Sequence, residues 1–264
     1  MKTPFRKTLE VSKKRFVLER GPHLPPLPLS LIIPKEPVRI SDILPILFHI
    51  ADKAFDLTIR EHADKGLHMA CGPGCGHCCK QLVPVSDHEA FHLARVVREM
   101  PEPQRRQTEA RFEAELDKLR SAGILEELLD FFRNRVHNAA EYRKWQKQYW
   151  ELGISCPFLV DESCSIHKQR PITCRQYSVT GSPENCRFVF SSDHVVDEIH
   201  QPVDLGGTLA AFTGAGTRAS RVVPIIFALM AEEELEEQDL PELPAENMIG
   251  RFLDFASMCY CDKA

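Results

Sequence analysis

Residues 71–80 read CGPGCGHCCK, four cysteines and three glycines in ten positions, with two of the cysteines adjacent. A second window, CPFLVDESCSIHKQRPITCRQYSVTGSPENC at 156–186, adds Cys156, Cys164, Cys174 and Cys186 to Cys71, Cys75, Cys78 and Cys79. Thiols packed this densely serve either as disulfides or as soft metal ligands. Cys78 and Cys79 can pair with each other only under strain. Thiolates favour zinc, Cu(I) or iron–sulfur clusters. Gly72, Gly74 and Gly76 permit the backbone angles a loop needs to wrap back on a metal. Neighbouring side chains diverge, so Cys78 and Cys79 suit a cluster or a binuclear site better than a single tetrahedral zinc.

The rest of the chain says in which compartment these thiols work. Its 264 residues carry a formal net charge of −5, which leaves no basic footprint for nucleic acid. No apolar run approaches the roughly 18 residues of a membrane helix, so no membrane partner is expected. The opening MKTPFRKTLEVSKKRF is basic with no continuous apolar stretch behind it, unlike a secretory signal. A cytoplasmic location is expected, and a reducing cytosol turns clustered cysteines toward metal rather than disulfides.

Working outward, apolar spacing predicts a mainly α fold: a helical scaffold holding two cysteine-rich metal-binding loops, with little or no β-sheet. Residues 1–40 read as a basic, proline-rich arm lying extended on the surface. Ser41 is the expected cap of a helix over about 42–65, with Leu44, Leu47, Phe48, Ala51 and Phe55 on one face. Ser86-Asp-His-Glu89 is a capping box opening a helix to about Met100, which Pro101 stops. Residues 102–152 hold further helices, with Phe112, Leu116 and Leu119 on one stripe and Leu125, Leu128, Leu129 and Phe132 on another. Helices are also expected near 207–213, 222–238 and 246–258, and PFLV and RFVF are the best strand candidates. The organisation is an arm (1–40), a metal-binding domain (41–200) and a helical C-terminal extension (201–264) packed on that domain. The acidic run at 231–246 reads as a solvated helix face and linker.

Widely separated ligand loops commonly meet across a helical scaffold, so the two windows are expected to converge. His77 and His167 lie inside them, and a capping or surface role is the simpler reading for each. Cys259 and Cys261 form C-x-C near the end of the chain and read as incidental thiols. Arg170 and Arg175 flank Cys174. They either offset the charge of a cluster or form an ordinary salt bridge to a helix carboxylate. Pro171 is expected to fix the turn that aims Cys174 inward.

In these two windows the chain resembles the YkgJ-type cysteine-cluster family, the CxxCxxCC zinc- or iron-chelating domains. CGPGCGHCCKQLVPVSDHEA is similar to the opening motif, and CPFLVDESCSIHKQRPITCRQY to the second, over about residues 68 to 190. The resemblance implies metal binding at Cys71, Cys75, Cys78, Cys79, Cys156, Cys164 and Cys174; Cys186 fits less firmly, because the spacing beyond C-R varies. Members are described as iron–sulfur or zinc proteins without an assigned activity. A related branch contains flagellin lysine N-methylases that use S-adenosylmethionine. This chain departs from that branch at R-P and lacks its long extension.

Three functions follow from these residues. One is a cytosolic metal-binding protein holding an iron–sulfur cluster, expected as 4Fe-4S, or zinc, and serving an unknown protein or redox partner. Another is an enzyme, either an iron–sulfur oxidoreductase or a methylase of the flagellin type. The third is a structural zinc scaffold. The methylase would need DLGGTLAAFTGAGT (204–217) as its cofactor loop, but no convincing strand precedes it, and close helix packing explains the glycines more simply. No P-loop, H-E-x-x-H or Ser-His-Asp order appears.

Overall fold

In the sequence, LPLSLIIP alternates Leu27, Leu29, Leu31 and Ile33 on one side of an extended chain. In the computed structural model, which describes residues 10–133, 138–191, 193–230 and 241–259, this segment is strand β2 (Leu27–Pro34). It pairs antiparallel with β1 (Val11–Leu18), Val11 opposite Pro34 and Leu18 opposite Leu27. One face buries Leu18, Leu29, Leu31 and Ile33, and the other leaves Val11, Val17 and Ile32 exposed. For residues 10–40 the expectation of an extended surface arm is corrected here, as is that of little or no sheet; residues 1–9 lie outside the described residues. The prolines that suggested an arm are tolerated because a two-stranded ribbon has a free edge for their missing N–H groups. Ile33→Val should therefore cost about 1 kcal/mol in a denaturant titration. A surface arm would give no change.

Helices carry most of the remaining regular structure among the described residues. Helix α1 (Ile40–Ala63) buries Leu44, Leu47, Phe48 and Ala51 as the stripe predicted, while Phe55 is half-buried. Its cap differs from expectation: Ser41 is inside the helix, and the Asp42 carboxylate accepts the Arg39 N–H at 3.0 Å. Next come α2 (Asp87–Glu99), α3 (Glu102–Ser121), α4 (Leu125–Arg133) and α5 (Ala139–Glu151), the last capped by Asn138. Short α6 (Ile172–Gln176) and α7 (Leu205–Ala211) follow, and α8 (Ala245–Ala256) lies near the C-terminus. The run 187–190 is no strand; its first two residues end a 3-10 turn, Pro183–Phe188. The segment expected as one helix over 222–238 opens instead as a short strand, Val222–Pro224, and a 3-10 turn, Ile225–Phe227.

Among the described residues, three apolar clusters hold these elements. The first joins the hairpin, α1, α7 and α8 with Ile172. The second gathers Leu116, Leu119, Leu128, Trp145 and Tyr149 from α3, α4 and α5. The third packs Leu93 and Val97 of α2 on Phe112, Phe158 and Ile166, with Cys156, Cys164 and Cys174 against its edge. Short antiparallel pairs stitch distant segments: Pro84–Ser86 with Val222–Pro224, and Pro37–Val38 with Leu243–Pro244. Within 231–246, residues 231–240 lie outside the described residues; Glu246 pairs with Lys14 at 2.7 Å and Glu242 with Arg39 at 3.9 Å. In α7, Gly207 follows Asp204, whose carboxylate accepts the Gly207 N–H at 2.8 Å, and a Cβ on Gly206 would stand 3.2 Å from Thr173 Oγ1. These glycines serve the cap and the packing of α7 on α6.

Candidate metal centre

Local geometry shapes each cysteine loop before the two meet. In the first, Gly74 takes φ +84, a left-handed angle that a side chain would resist, and the chain then tightens into a 3-10 turn, His77–Lys80. In the second, Leu159–Val160 and Ser163–Cys164 form a tight antiparallel hairpin. Its two central residues, Asp161 and Glu162, both adopt positive φ (49 and 54), as the favoured two-residue hairpin turn demands. Ser165 ties the loop shut through its N–H and Oγ, both 2.9 Å from the Phe158 carbonyl. Non-glycine residues hold such angles only where surrounding contacts enforce them.

Those contacts come from the first window. The Cys156 N–H donates to the Cys79 carbonyl at 2.6 Å, and Lys80 pairs with Glu162 at 3.2 Å. A Cβ on Gly76 would fall 2.6 Å from Glu162 Oε2 and 2.7 Å from Leu159 Cδ1, so any other residue here would displace both side chains. On the other flank the His77–Lys80 turn packs against the Pro183–Phe188 turn. There Arg187 Nε donates to His77 Nε2 at 3.4 Å, and Glu184 lies 3.6 Å from the same nitrogen. The Ala70 N–H donates to the Val179 carbonyl at 2.9 Å. The two windows converge.

Every described cysteine is a free thiol. Cys186 is buried, Cys259 is exposed and the other seven lie between, while Cys261 falls outside the described residues. Burial pushes up the thiols of Cys71, Cys156, Cys164, Cys174 and Cys186, and the charge of Cys78 pushes each further. Cys78 itself is held near 7, chiefly by a hydrogen bond from the Cys79 thiol, against its own burial and with help from Arg170. Giving that hydrogen bond is what raises Cys79 most. Cys78 is thus the electrostatic hub, and the most readily formed thiolate, of a group drawn from both windows.

Among the described residues no three cysteine, histidine or acidic side chains already surround one metal position. The donor set nevertheless suits a soft metal: eight unpaired thiols, far more than a disulfide-free core needs for packing. Arg170 adds a second sign. Its charge lowers Cys71, Cys78 and Cys164, yet its buried Nε has no hydrogen-bond partner.

The two flanking arginines have different roles. Arg175 is buried and forms the salt bridge, with Nη1 at 2.9 and 2.7 Å from the Asp52 carboxylate of α1. It also donates to the Arg170 and Lys168 carbonyls at 2.7 and 2.6 Å and stacks 4.6 Å over Phe48. It pins α6, which carries Cys174, onto α1. Pro171 directly precedes that helix, as its expected turn-setting role requires. His77 is buried and engaged with Arg187, and His167 is exposed.

Sequence reading did not anticipate the reach of Glu89. Its carboxylate closes the capping box on Ser86, accepting from N–H at 2.9 Å and Oγ at 2.8 Å, and its other oxygen accepts the Ile172 N–H at 2.7 Å. The side chain is fully enclosed, and burial pushes its pKa up. One carboxylate thus locks the start of α2 to the start of α6, two residues before Cys174. An open cleft of about 520 Å³ lies along α6, lined by Thr173, Gln176, Tyr177, His200 and Gln201.

No helix among the described residues is long and apolar enough to cross a membrane. No curated protein and no solved structure matches the chain significantly. A family model does match, CxxCxxCC, described as "Putative zinc- or iron-chelating domain", over residues 70–195. That span contains both cysteine windows, the Arg170 and Arg175 pair and the Glu89 clamp, and over it the chain is similar to the CxxCxxCC family.

Proposed function

We propose that this protein binds an iron–sulfur cluster, of the 4Fe-4S kind, through cysteines of both windows, and that it serves redox chemistry in the cytoplasm. The ligand set is drawn from Cys71, Cys75, Cys78, Cys79, Cys156, Cys164, Cys174 and Cys186. The observation that carries the reading is the gathering of thiols from both windows around Cys78, with the cation of Arg170 among them. A cluster ligated by thiolates is anionic, and hydrogen bonds or positive charge near its sulfurs stabilise it and set its potential. An arginine Nε buried without a partner supplies such a donor.

When bound, a cluster provides one-electron transfer. The chain's own residues do the rest. Asp52 and Arg175 fix α6, Glu89 fixes its first turn, and Arg170 counters the charge that builds as thiols lose protons. The cleft beside α6, lined by Thr173 next to Cys174 in the chain, is open to a small substrate or a partner segment.

Anaerobic purification followed by iron, zinc and acid-labile sulfide analysis tests this. Brown protein with equal iron and sulfide is expected. Colourless protein with stoichiometric zinc would replace the cluster by the structural zinc reading, and folded protein with no metal would defeat both.

A further inference from the structure

Antiparallel pairing and the prolines of β2 together fix which way the backbone of β1 faces. Residues opposite each other in such a ladder either exchange both N–H and C=O bonds or exchange neither. Pro28 stands opposite Val17 and Pro34 opposite Val11, and proline has no N–H to give. These are therefore non-bonded pairs, and by alternation so are Lys13 with Ile32 and Arg15 with Ser30. One step beyond Val11 and Pro34, the Lys35 N–H donates to the Glu10 carbonyl at 2.8 Å, in keeping with that phase. The N–H and C=O groups of Val11, Lys13, Arg15 and Val17 hence point away from β2. Among the described residues the sheet has two strands, and no backbone hydrogen bond joins these four to another segment. The outer edge of β2 is less complete, because Pro28 and Pro34 leave gaps in its row of donors.

The side chains of the same four residues lie on the outer face of the ribbon and are exposed, Val11 to 55% and Val17 to 50%. Ile32, 65% exposed, stands beside Lys13. Edge and face thus carry one pattern at every second position: aliphatic, cation, cation, aliphatic. An extended strand is the chain form that takes up such a row of backbone groups. A second copy of β1 would bring its own Lys13 and Arg15 against these, and like charges across a sheet repel.

We propose that the outer edge of β1 is a docking site for an extended, acidic segment of a partner protein, which adds as a third strand. On the outer face its side chains run aliphatic, acidic, acidic, aliphatic, the complement of Val11, Lys13, Arg15 and Val17. Other cations of the hairpin region already hold carboxylates, Lys14 pairing with Glu246 at 2.7 Å and Lys35 with Glu10 at 3.0 Å. None of these residues lies in either cysteine window, so the docking site does not depend on a bound metal.

The test uses the full chain labelled with heavy nitrogen and the peptide Val-Thr-Glu-Thr-Glu-Thr-Val, with Val-Thr-Lys-Thr-Lys-Thr-Val as control. Amide hydrogen exchange followed by NMR reads docking residue by residue. In the free chain the amides of Val11, Lys13, Arg15 and Val17 should exchange fast, while those of Ser12, Lys14 and Phe16, bonded to β2, are protected. The acidic peptide should slow the first set, the lysine peptide should not, and added salt should weaken the effect. Lys13→Glu/Arg15→Glu should lower affinity for the acidic peptide about tenfold, and Lys13→Gln/Arg15→Gln by less. No protection by the acidic peptide, equal protection by both peptides, or unchanged affinity in the charge-reversed chain overturns the proposal. If the charge-reversed chain fails to fold, the comparison of the two peptides on the unsubstituted chain still decides. Protection of these amides without peptide also overturns it. Constant protection means that the chain covers its own edge, and protection growing with concentration means that a second copy does. Phosphatidylserine vesicles that protect the four amides where the acidic peptide does not would reassign the face to a lipid surface.

Discussion

Cys79→Ser should remove at least half of the bound metal and lower the melting temperature by several degrees, whereas Cys259→Ser should change neither. Cys79 stands where the windows touch: its carbonyl receives the Cys156 N–H and its thiol donates to Cys78. A hydroxyl is a poor ligand for a soft metal, and because metal binding is coupled to folding, a weakened site also means a less stable chain. Cys259 has an exposed thiol, and its carbonyl, which accepts the Asp204 N–H at 3.3 Å, survives the substitution. Metal-to-protein ratio and a thermal melt for each variant decide the matter. Equal metal loss in both would place the C-terminal C-x-C among the ligands.

Glu89→Ala should cost about 3 kcal/mol in denaturant unfolding, since it strands the Ser86 and Ile172 N–H groups and the Ser86 hydroxyl in a buried place. Glu89→Gln should cost less, because one carbonyl oxygen remains to accept, although its amide then faces donors. A further effect separates this clamp from an ordinary cap. Loosening the Ile172 contact frees the first turn of α6, so the metal should dissociate faster from the Glu89→Ala protein. A helix cap alone would lower stability and leave metal release unchanged. Competition with a chelator measures it.

Glu89 marks where the sequence is legible and where it is not. Ser86 and Glu89 are three residues apart, and the capping box they form is a local bargain readable from spacing. The second oxygen of Glu89 answers an N–H 83 positions away, and no periodicity reports such a partner. Arg175 was recognised as a charge beside a thiol, with a helix carboxylate as one reading. That its carboxylate is Asp52, 123 positions distant, depends on the packing of α6 across α1. The hairpin of β1 and β2 was misread because four prolines near residues 25–34 outweighed the alternation of Leu27, Leu29, Leu31 and Ile33. Whether such a stretch is a surface arm or a core strand depends on whether an apolar face waits for it. Here α1 and α8 provide that face.

What the sequence determined by itself is therefore short-range: the thiol donors, their spacing within each loop, the helices whose stripes recur every three to four residues, and the capping box at Ser86. Backbone sterics and neighbouring side chains settle such features within a turn or two. Only the tertiary structure decided that the two windows meet, that Glu162 and Leu159 crowd Gly76, and that the hairpin over 11–34 is core. Each of these is a contact between segments tens of residues apart. The burial of many apolar side chains at once sets such contacts, and no short stretch of the chain encodes them.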